Sequence, residues 1–382
     1  MASPPSSPHW GERGGRPLAN LPMKKMSHTL FRAFQILAIL VLCVSLIACA
    51  PRAREKTQMR VLLAGSLLVP FDHLEQAFEE QHANVDVLME GHGSIQCVRH
   101  VAELDELADV VAVADYALIP MLMYEAHDPE TGEPHASWTL QFATNRLGIA
   151  YTPQSAYADE INAENWHAIL ARSDVLFGLS DPRFDACGYR GLMATQLAEQ
   201  YYGDDLIFDR VFGQRFTQPI RVQTRDGVDT IVVPEVLQPE KQSGLVMRGS
   251  SVRLLGLLES GDLDYAFEYE SVSRQHGLEF LALPPEINLS DEAYQENYAR
   301  VRVSLAFQRF ASVNPEFRGS PIAYGITIPN NAPHPDLAAE FIQFLAGPEG
   351  QAVMAEDEHP MIVPPVVDHP EPLPDALRPL IP

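Results

Sequence analysis

The sequence predicts an α/β protein of two lobes, the first built from both ends of the chain. Three observations carry this. From residue 57 onward, short apolar runs alternate with amphipathic helical segments. Two further apolar segments, near 145 and near 322, read as strands that cross between lobes. The chain has 382 residues, 46% hydrophobic and 20% charged, an ordinary globular composition long enough for two lobes.

Residues 57–63 read as a strand. After Gly65-Ser66, the side chains of Phe71, Leu74, Ala77 and Phe78 share one helical face. Residues 85–89 are a second strand, and Gly93-Ser94 opens a helical segment over 95–107. Residues 109–113 are a third strand. Strand, turn, helix, strand in this order needs right-handed crossovers and a parallel sheet, whose ligands sit at the carboxyl ends of the strands. Both Gly-Ser turns lie there. Residues 142–145 and 147–151 form the first crossing. Trp166, Ile169 and Leu170 belong to a helix, and 175–179 is a strand that runs into the loop 180–190. The helix after it carries Leu192, Met193, Leu197 and Tyr201. Residues 217–248 break often and read as short strands and loops; 252–258 is helical and 264–269 a strand. Residues 285–320 read as mostly irregular, with one amphipathic stretch. Residues 322–328 form the second crossing strand, and helices over 337–345 and 351–355 lead into a Pro-rich tail.

Ahead of the body, residues 1–22 are rich in Pro, Gly and Ser, with Met23 or Met26 as candidate starts. Lys24-Lys25, an apolar run and the ending Leu46-Ile47-Ala48-Cys49 make residues 1–48 a secretory signal. The run is short for a membrane span of roughly 20 residues, although an uncleaved anchor is the other reading. Leu-Ile-Ala-Cys resembles a bacterial lipobox, which implies that Cys49 is lipidated and that residues 49–57 tether a body to the outer face of the membrane or in the periplasm.

The net charge is -24. Without residues 1–48 the count is 22 basic against 50 acidic side chains, a net -28. Such a surface repels nucleic acid and anionic lipid. It also repels anionic ligands at long range, so local dipoles must hold any anion. Cys97 and Cys187 form neither a disulfide framework nor a metal-binding spacing and read as buried thiols. GxSxG, HExxH, Walker and GxGxxG motifs are all absent, which gives an enzyme no support and implies no cofactor.

Three strand-to-helix junctions remain as the candidate site: Gly65-Ser66, Gly93-Ser94 and Phe184-Asp185-Ala186. Helix N-termini present unpaired N–H groups and about half a positive charge each. Together they make an anion site that needs no Arg or Lys. A plain N-cap is the other reading of Ser66, Ser94 and Asp185.

AGSLLVPF (64–71), the Gly93-Ser94 turn, ADVVAVADYALI (108–119), the Trp138…Asn145 stretch, DACGYR (185–190), ESGDLDYAFEYESVSRQHGLEF (259–280) and SPIAYGITIPNNA (320–332) together resemble the tungstate/molybdate-binding proteins of archaeal-type ABC importers. The resemblance runs from about 59 to 367. It implies a two-lobed, type II periplasmic-binding-protein fold, each lobe a mixed sheet flanked by helices, with a tetraoxyanion in the cleft. Lobe I would take 58–145 and 320–382, and lobe II 146–319. By the same resemblance Gly65, Ser66 and Ser94 bind oxo groups, Asp185 bonds the metal, Arg183 and Phe184 lie beside it, and Tyr269 completes the site. The family's second metal-bonding carboxylate, a Glu, is replaced here by Ser251. Glu268 or Glu270 is a candidate substitute, although strand alternation sends Glu268 to the face opposite Tyr269. Ser251 could instead bond an oxo group.

A carboxylate beside a dianion is repulsive unless it bonds the central atom. Mo(VI) and W(VI) can add oxygen ligands, whereas sulfate sulfur does so poorly, so a carboxylate selects against sulfate. The resemblance implies a lipid-anchored monomeric receptor that feeds a membrane permease and its cytoplasmic ATPase. A sulfate receptor of the same fold and a tethered anion sensor are the alternatives.

Overall fold

The computed structural model describes residues 32, 35, 36, 56–129, 131–305 and 315–381. Apart from its three described positions, the secretory signal lies outside these residues, as does Cys49. Strands β1 (Thr57–Ala64), β2 (Val85–His92), β3 (Val110–Val113) and β4 (Leu140–Thr144) come first, with helices α1 (Leu68–Gln81) and α2 (Ser94–Ala102) among them. Then follow β5 (Leu147–Tyr151), α3 (Trp166–Leu170), β6 (Phe177–Ser180), α4 (Ala186–Tyr202), β7 (Arg221–Arg225), β8 (Val228–Val233) and β9 (Leu245–Arg248). Next are α5 (Val252–Ser260), β10 (Tyr265–Tyr269), α6 (Glu270–Gln275), β11 (Glu279–Ala282), α7 (Gln295–Tyr298), β12 (Val301–Leu305) and β13 (Glu316–Arg318). The chain ends in β14 (Ala323–Thr327), α8 (Pro335–Ala346), α9 (Pro348–Glu356) and β15 (Met361–Val367).

Lobe I is a six-stranded sheet in the order β15-β4-β14-β3-β1-β2. Strand β1 pairs in parallel with both β2 and β3, as the strand–helix alternation requires. Strands β14, β4 and β15 add antiparallel and make the sheet mixed. The C-terminal part of β1 is buried residue after residue, which suits a strand covered on both faces. Helix α1 buries Phe71, Leu74 and Phe78, and Phe78 meets Phe341 of α8 edge to face at 5.3 Å. Full burial of each such side chain stabilises by about 1.5–3 kcal/mol.

Lobe II is a five-stranded sheet in the order β11-β5-β10-β6-β9, with β10 parallel to β6 and antiparallel to β5. The first crossing therefore splits into two strands in different sheets, β4 and β5, with Asn145 and Arg146 between them. The second crossing meets the first where Thr144 Oγ1 donates to Ile322 O at 2.7 Å.

Three readings of the sequence change. A third sheet, β13-β12-β8-β7, draws two strands from the stretch read as mostly irregular. The helix after Gly93 ends at Ala102, five residues short of 107. The Pro-rich tail contains β15, an edge strand of lobe I, where missing N–H donors are tolerated.

Candidate functional site

The ends of β1, β2 and β3 in lobe I face the start of α4 and of α5 in lobe II. The lobes touch there through backbone. Ile95 N–H of α2 donates to Phe184 O at 3.0 Å. A Cβ on Gly93 would stand 2.4 Å from that same oxygen, and one on Gly65 2.8 Å from Val252 Cγ2. Both turn glycines are therefore needed for close approach of the lobes.

Neither turn serine caps its own helix. Ser66 Oγ accepts the Tyr324 hydroxyl at 3.0 Å, and Ser94 Oγ accepts Ala114 N–H at 3.0 Å. Tyr269 Oη likewise accepts from Arg190 Nη1 at 2.8 Å. Each of the three hydroxyls thus receives a hydrogen bond from the fold and keeps its own hydrogen to donate. All three residues are buried. A set of buried donors turned outward from their supports suits a ligand made of acceptors.

Asp185 occupies the N-cap position of α4, yet its carboxylate makes no cap bond to that helix. Instead Oδ2 accepts Ser251 N–H at 2.9 Å, at the start of α5. The first N–H groups of α4 stay uncapped by Asp185. Ser251 gives its hydroxyl to Glu268 Oε1 at 3.0 Å, so both of its donors serve carboxylates. Glu268 Oε1 also takes Tyr269 N–H at 2.8 Å. Glu268 Oε2 is buried with no partner, and the residue is 0% exposed. Burial pushes the Glu268 carboxyl up to about 8, with the nearby Asp185 charge adding to the rise. Burial also raises Asp185, with the Ser180 side chain and the Ser251 N–H acting against the rise.

Arg183 and Phe184 form the loop before Asp185. The Arg183 guanidinium is engaged by Asp181 at 2.5 and 2.8 Å and by Glu235 O at 2.6 Å, so its charge is spent on the loop. The structure thus gathers Ser66, Ser94, Asp185, Ser251, Tyr269 and Glu268, with Gly65 packed against Val252 at the start of α5, and leaves Arg183 at the edge.

Sequence reasoning missed Arg190. It is 3% exposed, donates to Ala114 O at 2.7 Å as well as to Tyr269, and lies 3.5 Å from Asp115. A cation does reach this site, and it also bridges the lobes. Tyr189 donates to Asp115 Oδ2 at 2.5 Å and stacks on Phe317 at 4.3 Å. Tyr324 and Asn145, which support Ser66, were likewise given no role of their own. Only the Trp138…Asn145 stretch, DACGYR and SPIAYGITIPNNA as blocks pointed toward Asn145, Arg190 and Tyr324.

Comparison with known proteins agrees with this architecture. Residues 59–357 match the bacterial extracellular solute-binding proteins. The chain belongs to that family. Among relatives of this solute-binding protein, an uncharacterized solute-binding protein of Methanoculleus marisnigri is 44% identical over 329 residues, 86% of this chain and 88% of that one. The molybdate/tungstate-binding protein WtpA of Thermococcus kodakarensis is 38% identical over 343 residues, 86% and 91% of the two chains. The periplasmic molybdate-binding protein of Azotobacter vinelandii shares the fold, with a TM-score of 0.50 at 14% identity over 79% of this chain and 98% of that one. A solute-binding protein of this family is a transport component rather than a member of an enzyme class, and it works in the periplasm or on the outer face of the membrane. Among the described residues no helix is long and apolar enough to cross a membrane.

Proposed function

We propose that the protein is the lipid-anchored receptor of an ABC importer, capturing tungstate or molybdate between its lobes. Lobe I, residues 58–145 and 320–382, and lobe II, residues 146–319, close on the anion. Residues 1–48 direct secretion, and Cys49 carries the lipid. The loaded receptor, a monomer, docks on a membrane permease driven by a cytoplasmic ATPase. It performs no covalent chemistry and holds no cofactor.

One observation carries this reading: the hydroxyls of Ser66, Ser94 and Tyr269 all accept from the fold and keep a hydrogen to donate. An oxyanion offers acceptors to every one of them. The N-termini of α2, α4 and α5 add partial positive charge, which a molecule of net charge -24 supplies nowhere at long range. Asp185 then distinguishes the anion. Its carboxylate repels sulfate but bonds an expandable Mo or W centre. Glu268 stands one serine away from Asp185 as the second carboxylate. The 38%-identical WtpA of Thermococcus kodakarensis, named for molybdate and tungstate, favours the same assignment.

Isothermal titration of the purified protein tests this. Tungstate or molybdate should bind with a heat that excess sulfate leaves unchanged. Displacement by equimolar sulfate would make it a general oxyanion receptor. Absence of binding to all three would overturn the reading.

A further inference from the structure

We propose that Asn145 and Tyr324 are positioning residues that aim the Ser66 hydroxyl into the cleft, so that the hinge sets one of the site's donors. The inference rests on the oxyanion reading above and adds residues that the reading does not use.

Asn145 sits between β4 and β5, where the chain first crosses between lobes. Its Oδ1 accepts Arg146 N–H at 3.0 Å, which fixes the amide and turns Nδ2 the other way. Nδ2 donates to Ser271 Oγ at 2.8 Å in lobe II and to Tyr324 Oη at 3.2 Å in lobe I. With one lone pair of Oη so engaged, Tyr324 passes its own hydrogen to Ser66 Oγ at 3.0 Å. Ser66 then keeps its own hydrogen to donate onward. Asn145, Tyr324 and Ser66 are all buried, so water does not scramble the order. Hydrogen bonds running one way along a buried chain polarise one another, and the last hydroxyl becomes the better donor.

Asn145 holds both lobes at once. Ser271 lies two residues beyond Tyr269, a predicted anion contact in lobe II, while Tyr324 supports Ser66 in lobe I. The amide that supports Tyr324 is thus the same one that ties the crossing to lobe II.

The test is a double-mutant cycle read by titration with sodium tungstate. Tyr324→Phe keeps the ring contacts to Phe142, Tyr269 and His359 and removes only the hydroxyl. It should weaken tungstate binding about 3- to 10-fold, the worth of one ordinary hydrogen bond. Ser66→Ala should weaken binding at least as much. The double variant should bind no more weakly than Ser66→Ala alone, because Tyr324 acts through Ser66. Asn145→Ala supplies an independent entry to the same cycle and should show the same non-additivity. A purely structural role for Tyr324 would lower stability without producing that pattern. If Tyr324→Phe binds like the parent, or if its effect adds to that of Ser66→Ala, the positioning role is wrong while the receptor reading stands. If the parent protein binds no tungstate, both fall.

Discussion

Replacing Gly93 by Ala should separate binding from folding. Gly93 has φ -66 and ψ 144, a conformation open to any residue. Alanine there costs the free lobe nothing and stabilises it by about 0.4–1 kcal/mol through the unfolded chain. The closed cleft is another matter. The new Cβ would stand 2.4 Å from Phe184 O, where real Cβ contacts stay beyond 3.0 Å. The turn must retreat by at least about 0.6 Å. The Ile95 N–H bond to Phe184 O, now 3.0 Å, would then lie near about 3.6 Å, outside hydrogen-bond range. A buried donor stripped of its partner costs about 1–3 kcal/mol, or roughly 5- to 150-fold in Kd. Titration calorimetry with tungstate reads the affinity, and thermal unfolding of the ligand-free protein reads the stability. Weaker binding with unchanged or raised stability is expected. Unchanged Kd, or a stability loss that parallels the affinity loss, refutes the proposal that the lobes close on the anion through this contact.

Three further outcomes follow from the same geometry. The Glu268 carboxyl lies near 8 in the folded protein against 4.5 in the open chain, so the folded state keeps a proton that the unfolded chain has released. The free protein should therefore be most stable below about pH 4.5 as far as this group is concerned and lose up to about 1.4 kcal/mol per pH unit as pH rises toward 8; Glu268→Gln should flatten that slope in denaturant titrations. Tyr189→Phe removes the bond to Asp115 across the cleft and should weaken anion binding about 3- to 10-fold by calorimetry, with the stacking on Phe317 retained. Burial pushes the thiols of Cys97 and Cys187 upward, so both should resist alkylation in the native protein and react once denatured, as peptide mapping would show.

Much of this was legible in the sequence because it rests on local patterns. Continuous apolar runs marked β1 and β3, and the Gly-Ser pairs marked the ends of strands where backbone must come close. What was hidden depends on distant partners. Helix α4 is buried along thirteen successive residues from Ala186 to Ala198, so periodicity gives no face on which to place Arg190. Strand β7, exposed at four of its five positions, lies in the stretch read as short strands and loops, but its bounds were not legible. Alternation along β10 correctly separates Glu268 from Tyr269, but both faces are covered. Glu268 meets α5 through Ser251, while Tyr269 meets α4 through Arg190.

The most direct test of the central claim is diffraction from crystals grown with tungstate, with the metal located by its anomalous signal. The account predicts one tungsten centre in the interlobe cleft, bonded to an Asp185 oxygen and with its oxo groups facing the hydroxyls of Ser66, Ser94 and Tyr269. A tungsten peak only on the outer surface, or a cleft that stays empty at saturating anion, would contradict it.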